Sequence, residues 1–262
     1  LLQNGEKSLA VSEFQRSLRT LQKKNRMLAL KEISNIARLD VGREIRKGLP
    51  EIILAEGKEP GDVAKIARSM VEQTGRAIIS RANRAHLKAV RSRIRDGYRL
   101  EFMPRSRMVL VKSGSYKTKP NGGRVGLLTA GTSDIPVAEE AEVVAREMGC
   151  DTRAYYDVGV AGLHRLFEPL KQLLRWDADV ILVVAGREGA LPTVVAGMVD
   201  VPVVGVPTSR SYGFGEKGLA ALAAMLQSCS LGMSVVNIDG GVGAGAVAAM
   251  IAKRVGQFRR RP

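Results

Sequence analysis

The residues best suited to chemistry stand in short polar loops next to apolar runs. Cys229 lies in Gln227-Ser228-Cys229-Ser230-Leu231-Gly232, a stretch of small residues with no helical apolar period. A cysteine placed there, rather than on an apolar helix face, suits an exposed and activated thiolate. A buried inert thiol is the plainer alternative. Arg187 and Glu188 sit between Gly186 and Gly189, directly after an apolar run. Glu188 is a candidate general base if its surroundings tune its carboxyl group; a solvated ion pair is the simpler reading. Thr132, Ser133 and Asp134 bring two hydroxyls and a carboxylate to a helix start, where free N–H groups attract anions. They would equally serve as caps ahead of Pro136. Thr208-Ser209-Arg210-Ser211 opens a glycine-rich loop whose hydroxyls and guanidinium suit phosphate or carboxylate. Asp239-Gly240-Gly241-Val242-Gly243 runs into a helix in a phosphate-friendly turn, but no Lys-Ser/Thr follows to make a Walker A loop. His164 and Arg165 follow the small-residue loop that begins at Asp157. Cys150, at a helix end in Met148-Gly149-Cys150-Asp151, reads as structural.

These loops need a scaffold, and the pattern from Arg124 onward supplies one. Short apolar strands are expected at 125–129, 152–156, 179–185, 201–206 and 234–238. Helices are expected at 137–148, 163–174, 191–198, 219–226 and 244–254. Five apolar strands alternating with helices imply an α/β fold, with a doubly wound parallel five-stranded sheet covered on both faces. In such sheets ligands bind outside the carboxyl ends of the strands, at the switch point in strand order. The C-terminal half is therefore expected to handle a phosphorylated, nucleotide-like small molecule.

The first part of the chain differs in kind. Residues 1–120 carry 27 Lys and Arg against 12 Asp and Glu, whereas the remainder carries 14 of each. That asymmetry marks a domain boundary, set here as 1–121 and 122–262, and raises a polyanion as a partner. Residues 6–40 read as helix from the spacing of Leu18, Leu21, Leu28, Ile33 and Ile36. Strands are expected at 51–55, 77–80 and 108–111. A helix at 63–75 is expected with Asp62 as its cap, and another at 86–94. Lys112 to Gly123 reads as the linker. This unit is a smaller, basic α+β domain with a helical leader. Only two cysteines occur among 262 residues, which implies no disulfide framework and fits a reducing cytoplasm. No apolar run is long enough for a membrane span or a signal peptide. The chain opens on Leu1 rather than Met, so residues are expected ahead of it. Aromatics are 4% of the chain, too few for stacking platforms, so nucleic acid is an unfavoured partner.

The segments GLLTAGTSDIPVAEEA, AGREGALPTVVAGMV and GVPTSRSYGFGEKGLAALAAML resemble the carboxyaminoimidazole ribonucleotide mutase (PurE) family. That family carries a histidine just before Leu191-Pro192, where this chain has Ala190, which argues against the purine reaction. Together with DVGVAGLHR, CSLGMSVVNIDGGVGAG and the N-terminal GLPEIILAEGKEP, the loops are more similar to the LarB family of pyridinium-3,5-biscarboxylic acid mononucleotide synthases. Ser230-Leu231 departs from the Ala-Pro expected after the cysteine. The resemblance spans roughly residues 40–255.

The resemblance implies a reaction and a set of roles. Nicotinic acid adenine dinucleotide would be carboxylated at C5 of its pyridinium ring by CO2, and its phosphoanhydride hydrolysed to release AMP. The product would feed synthesis of the nickel-pincer nucleotide cofactor of lactate racemase. Cys229 would be the nucleophile, Glu188 the base, and Asp134 would position ribose or ring. Thr132, Ser133, His164, Arg187, Ser209, Arg210, Asp239, Gly240, Gly241 and Gly243 would contact substrate. Lys58 and Arg46 would serve the adenylate half. A divalent cation, Mg²⁺, would assist hydrolysis. A homo-oligomer, an octamer by resemblance, is expected. The competing readings are the purine mutase and a nucleic-acid-binding protein.

Overall fold

The computed structural model describes residues 30–33, 35–94 and 96–259. The chain divides into two compact units. The first runs to Ile79 and adds Asn83–Glu101 and Leu110–Tyr116; the second takes Ser80–Ala82, Phe102–Val109 and everything from Lys117.

The first unit is mixed α+β. A hairpin of β1 (Leu30–Ile33) and β2 (Ala37–Asp40) leads into the short helix α1 (Arg43–Lys47). Four further strands form a sheet in the order β3-β4-β6-β5, with β3 at Ile52–Leu54, β4 at Arg76–Ser80, β5 at Tyr98–Met103 and β6 at Met108–Ser113. Two helices, α2 (Pro60–Thr74) and α3 (Arg84–Arg93), complete it. Pro60 sits in the first turn of α2, where its missing N–H costs nothing. The buried His86 fixes the entry to α3: its Nδ1 accepts from Asn83 N–H while Asn83 Oδ1 accepts from His86 N–H. Its Nε2 must then carry the proton, donated to the Lys58 carbonyl at 2.9 Å.

Several expectations are corrected here. Leu30–Ile33 and Ala37–Asp40 are paired strands rather than part of a long helix, with the cross-strand pair Glu32–Arg38 at 3.1 Å and the buried Leu39. Of the apolar residues that suggest the helix only Ile33 and Ile36 fall in this stretch, and cross-strand pairing wins locally. The rest of that expected helix, residues 6–29, lies outside the described residues. Asp62 is not the cap of α2 but lies in its first turn, paired with Lys65, and Glu59 holds the cap position. The expected linker begins inside β6, which takes Lys112 and Ser113.

The second unit is the doubly wound domain. Its parallel strands are β7 (Arg124–Thr129), β8 (Asp151–Tyr155), β9 (Val180–Ala185), β10 (Val203–Pro207) and β11 (Met233–Val235), in the order β11-β10-β9-β7-β8. Strand order therefore reverses between β7 and β9, the switch point. Every residue of β9, Val-Ile-Leu-Val-Val-Ala, is buried, as expected for a strand covered on both faces. The helices are α4 (Ile135–Glu147), α5 (His164–Arg175), α6 (Ala190–Ala196), α7 (Leu219–Leu226) and α8 (Gly241–Arg259). Gly241 and Gly245, four residues apart on α8, face α4 so closely that a Cβ would lie 2.5 Å from the Val137 carbonyl oxygen and 2.3 Å from that of Ala141. Backbone contact between α4 and α8 is what these two glycines permit. Among the described residues no helix is long and apolar enough to cross a membrane.

Candidate active site

Three loops at the carboxyl edge of the sheet converge on one carboxylate. Asp134 ends the 3-10 turn Thr132–Asp134 that follows β7, and it is 3% exposed. Its Oδ2 accepts from Gly131 N–H at 2.9 Å, and its Oδ1 accepts from the Thr208 hydroxyl, after β10, at 2.7 Å. Gly186 N–H, after β9, donates to the same group. Asp134 thus ties the loops on both sides of the switch point. Burial pushes its carboxyl above the usual carboxylate range, opposed by these three hydrogen bonds and assisted by the nearby charge of Asp239. Gly186 belongs to the same knot: a Cβ there would lie 2.7 Å from Thr208 Oγ1 and 3.1 Å from the Arg210 carbonyl oxygen.

Asp239 makes a second knot. It holds a left-handed backbone, φ 53°, at the turn after β11. Its N–H donates to the Pro207 carbonyl at 2.9 Å, and its Oδ1 accepts from Ser209 N–H at 2.9 Å. The loops after β10 and β11 are thereby fixed to each other. Gly240 completes this turn, since a Cβ would meet the Asn237 carbonyl oxygen at 2.7 Å. Gly241 points at α4, whereas Gly243 has open space about it. The amino end of α8 already has an acceptor: the buried Glu140 of α4, its carboxyl pushed above the usual range by burial, accepts from Val242 N–H. A phosphate at that helix start would face this carboxylate.

Around the two knots lie exposed groups free to meet a ligand. Thr132, Ser133, Glu188 and Arg210 are exposed. Arg187, also exposed and left-handed at φ 50°, lays its guanidinium over the ring of Tyr212 at 4.3 Å. Tyr212 and Phe214 project from the same loop, 78% and 101% exposed. The loop after β8 joins the edge where Gly159 packs on the Ala130 carbonyl; there Asp157 pairs with Arg165 at 2.9 Å, and the exposed His164 opens α5.

Cys229 is placed differently. It is exposed, between the end of α7 and the start of β11. That loop lies at the amino edge of the sheet: Gly232 accepts from Val203 N–H at the start of β10. Ser228 and Ser230 are tied to Thr193 of α6. Parallel strands rise about 3.3 Å per residue, so roughly 15 Å of sheet separates Cys229 from the carboxyl-edge loops of its own chain. Lys58 and Arg46 belong to the first unit, where Lys58 Nζ donates to the Leu54 carbonyl and Arg46 pairs with Asp40.

Among the described residues no group of three or more His, Cys, Asp and Glu could hold a metal ion. The sequence offers Thr208 as a loop hydroxyl but gives no role to Gly186, Glu140, Ser80 or Arg81. Thr208 carried a signal, as the first hydroxyl after a buried strand; Arg81 carried none within a basic stretch.

Residues 124–258 match the AIR carboxylase family, and residues 30–113 match the LarB/PurE-like N-terminal domain. The chain belongs to the AIR carboxylase family and carries a LarB/PurE-like N-terminal domain. It is 42% identical over 241 residues to the uncharacterized protein MJ0165 of Methanocaldococcus jannaschii, covering 90% of this chain and 92% of that one. It is 32% identical over 137 residues to an N5-carboxyaminoimidazole ribonucleotide mutase of Thermotoga maritima, covering 51% of this chain and 70% of the mutase. A mutase of the same name from Methanocaldococcus jannaschii is 31% identical over 124 residues, covering 47% and 74%. The fold and the two-domain architecture are thus those of an enzyme family with carboxylase-type chemistry.

Proposed function

We propose that this enzyme carboxylates C5 of the pyridinium ring of nicotinic acid adenine dinucleotide with CO2 and hydrolyses the phosphoanhydride to release AMP. The observation that carries the reading is the union, on one chain, of a LarB/PurE-like N-terminal domain and an AIR carboxylase domain that has Ala190 before Leu191-Pro192 and an exposed Cys229. A pyridinium ring is electron-poor and does not attack CO2 unaided. Addition of the Cys229 thiolate at C4 breaks its aromaticity and leaves an enamine with a nucleophilic C5. C5 then bonds to the carbon of CO2. Glu188 removes the C5 proton, and departure of the thiolate restores the ring. Covalent catalysis of this kind divides one difficult step into easier ones.

Cys229 and Glu188 stand at opposite edges of one sheet. On this reading a second copy of the chain brings the thiolate to the pyridinium, and a homo-oligomer is part of the proposal. Asp134, with its oxygens committed to three donors, shapes the edge. Ser209, Arg210, Thr132 and Ser133 bind phosphate, carboxylate and ribose oxygens, and Arg187 with Tyr212 offers a stacking surface. Mg²⁺ fits as an ion carried by the diphosphate, needing one or two protein carboxylates, and would neutralise phosphate charge during hydrolysis.

The test is incubation with the dinucleotide, bicarbonate and Mg²⁺, followed by mass spectrometry. AMP and a mononucleotide with one added carboxyl group are the expected products. The similarity to the mutases favours a second reading, conversion of N5-carboxyaminoimidazole ribonucleotide. Turnover of that compound with no reaction of the dinucleotide would select it.

A further inference from the structure

We propose that Arg81 and Ser80 are positioning residues for the carboxyl-edge site, acting through Asp239 and Glu140. Both lie in the stretch matched by the LarB/PurE-like N-terminal domain and outside that matched by the AIR carboxylase family. Yet Ser80–Ala82 cluster with the second compact unit. Arg81 Nη2 donates to the Asp239 carbonyl oxygen at 3.0 Å, and the Ser80 hydroxyl donates to Glu140 Oε1 at 2.8 Å. These bonds reach both sides of the turn between β11 and α8.

Asp239 shows why the first bond matters. Its N–H is held by Pro207, its Oδ1 by Ser209 and its carbonyl by Arg81. A non-glycine residue keeps a left-handed backbone only when its surroundings over-determine it. Through Ser209 and the adjacent Thr208 the contacts run on to Asp134 and Gly186, at the switch point. Arg81, itself left-handed at φ 55°, thus begins a continuous path of contacts to the candidate phosphate-binding loop. Glu140 makes the second anchor. It is buried beneath the start of α8, where burial raises its carboxyl above the usual range, opposed by hydrogen bonds from Ser80 and Val242 N–H and by the charges of Arg81 and Arg107. The polar contacts that fix Ser209 and the Asp239 turn therefore depend on residues that precede the catalytic domain in sequence.

The kinetic half of the test rests on the carboxylation reading; the structural half does not. Arg81→Ala and Arg81→Lys are made in the full chain. Amide exchange is followed in peptides covering residues 207–209 and 239–242. Faster exchange there is expected in Arg81→Ala, with Arg81→Lys partway. Unchanged protection in those peptides overturns the proposal whatever the reaction proves to be. With the dinucleotide as substrate, KM should rise about tenfold in Arg81→Ala while kcat changes less than about threefold. Methylguanidinium should restore part of the loss, which a general packing defect would not allow. A fall in kcat alone, with KM unchanged, also overturns it. If Arg81→Ala does not fold, exchange in Arg81→Lys decides the matter alone. A wild type inactive on the dinucleotide removes the carboxylation reading and leaves the exchange result to judge Arg81.

Discussion

Replacing Asp134 should destabilise the fold even though its carboxyl group is buried. The side chain is 3% exposed and accepts from Thr208 at 2.7 Å, from Gly131 at 2.9 Å and from Gly186. Asp134→Ala leaves three donors unpaired. A hydrogen bond to a charged group contributes about 1.5–3 kcal/mol, and the three are neither additive nor free of the cost of burying the carboxylate. A net loss of about 3 kcal/mol follows, and at about 2–4 °C per kcal/mol for a domain of this size the melting temperature should fall by about 6–12 °C. Scanning calorimetry at pH 7 reads this directly. The pH dependence supplies a second check, against Asp134→Asn, which cannot titrate. Burial raises the folded-state pKa of Asp134. The proton is therefore held more tightly in the folded state. The stability margin of wild type over Asp134→Asn should be greatest below the ordinary Asp value of about 3.9 and shrink as pH rises through the raised value. An alanine variant that melts within about 1 °C of wild type would refute the knot described here, and a margin that grows with pH would refute the dominance of burial over the three hydrogen bonds.

Two further outcomes test the edge and the oligomer. Gly186→Ala places a Cβ 2.7 Å from Thr208 Oγ1, so it should cost about 1–3 kcal/mol by denaturant titration and depress turnover as the loops separate. Cys229→Ala should leave stability within about 0.5 kcal/mol, because the side chain is exposed, while abolishing carboxylation. Mixed oligomers of Cys229→Ala and Glu188→Gln, each inactive alone, should regain activity, about a quarter of wild type for random assortment. No recovery would mean that both groups act within one chain.

The strongest features of the fold were legible because they rest on burial. Apolar runs such as Val180–Ala185 read as interior strands, and the alternation of strands with helices leaves few topologies. The loops that follow them were legible for the same reason. The hairpin at 30–40 was not, because cross-strand pairs such as Glu32–Arg38 leave no periodic trace in a basic segment. Strand β5 had a signal, the alternation Tyr-Arg-Leu-Glu-Phe, that the surrounding arginines obscured. At the site, Asp134 was legible as a carboxylate after a buried strand, but two of its three donors, Thr208 and Gly186, come from distant parts of the chain. The edge on which Cys229 falls follows from its place before β11 rather than after it. Arg81 could not be distinguished from its many basic neighbours until Asp239 was seen beside it.

The central claim is the carboxylation of a pyridinium dinucleotide, and ¹³C-bicarbonate tests it most directly. The enzyme, nicotinic acid adenine dinucleotide, Mg²⁺ and labelled bicarbonate are combined, and the products are analysed by mass spectrometry and carbon NMR. One labelled carboxyl group on C5 of the mononucleotide, formed with an equal amount of AMP, is the predicted result. AMP without label, or an untouched dinucleotide beside active turnover of the purine ribonucleotide, would contradict it.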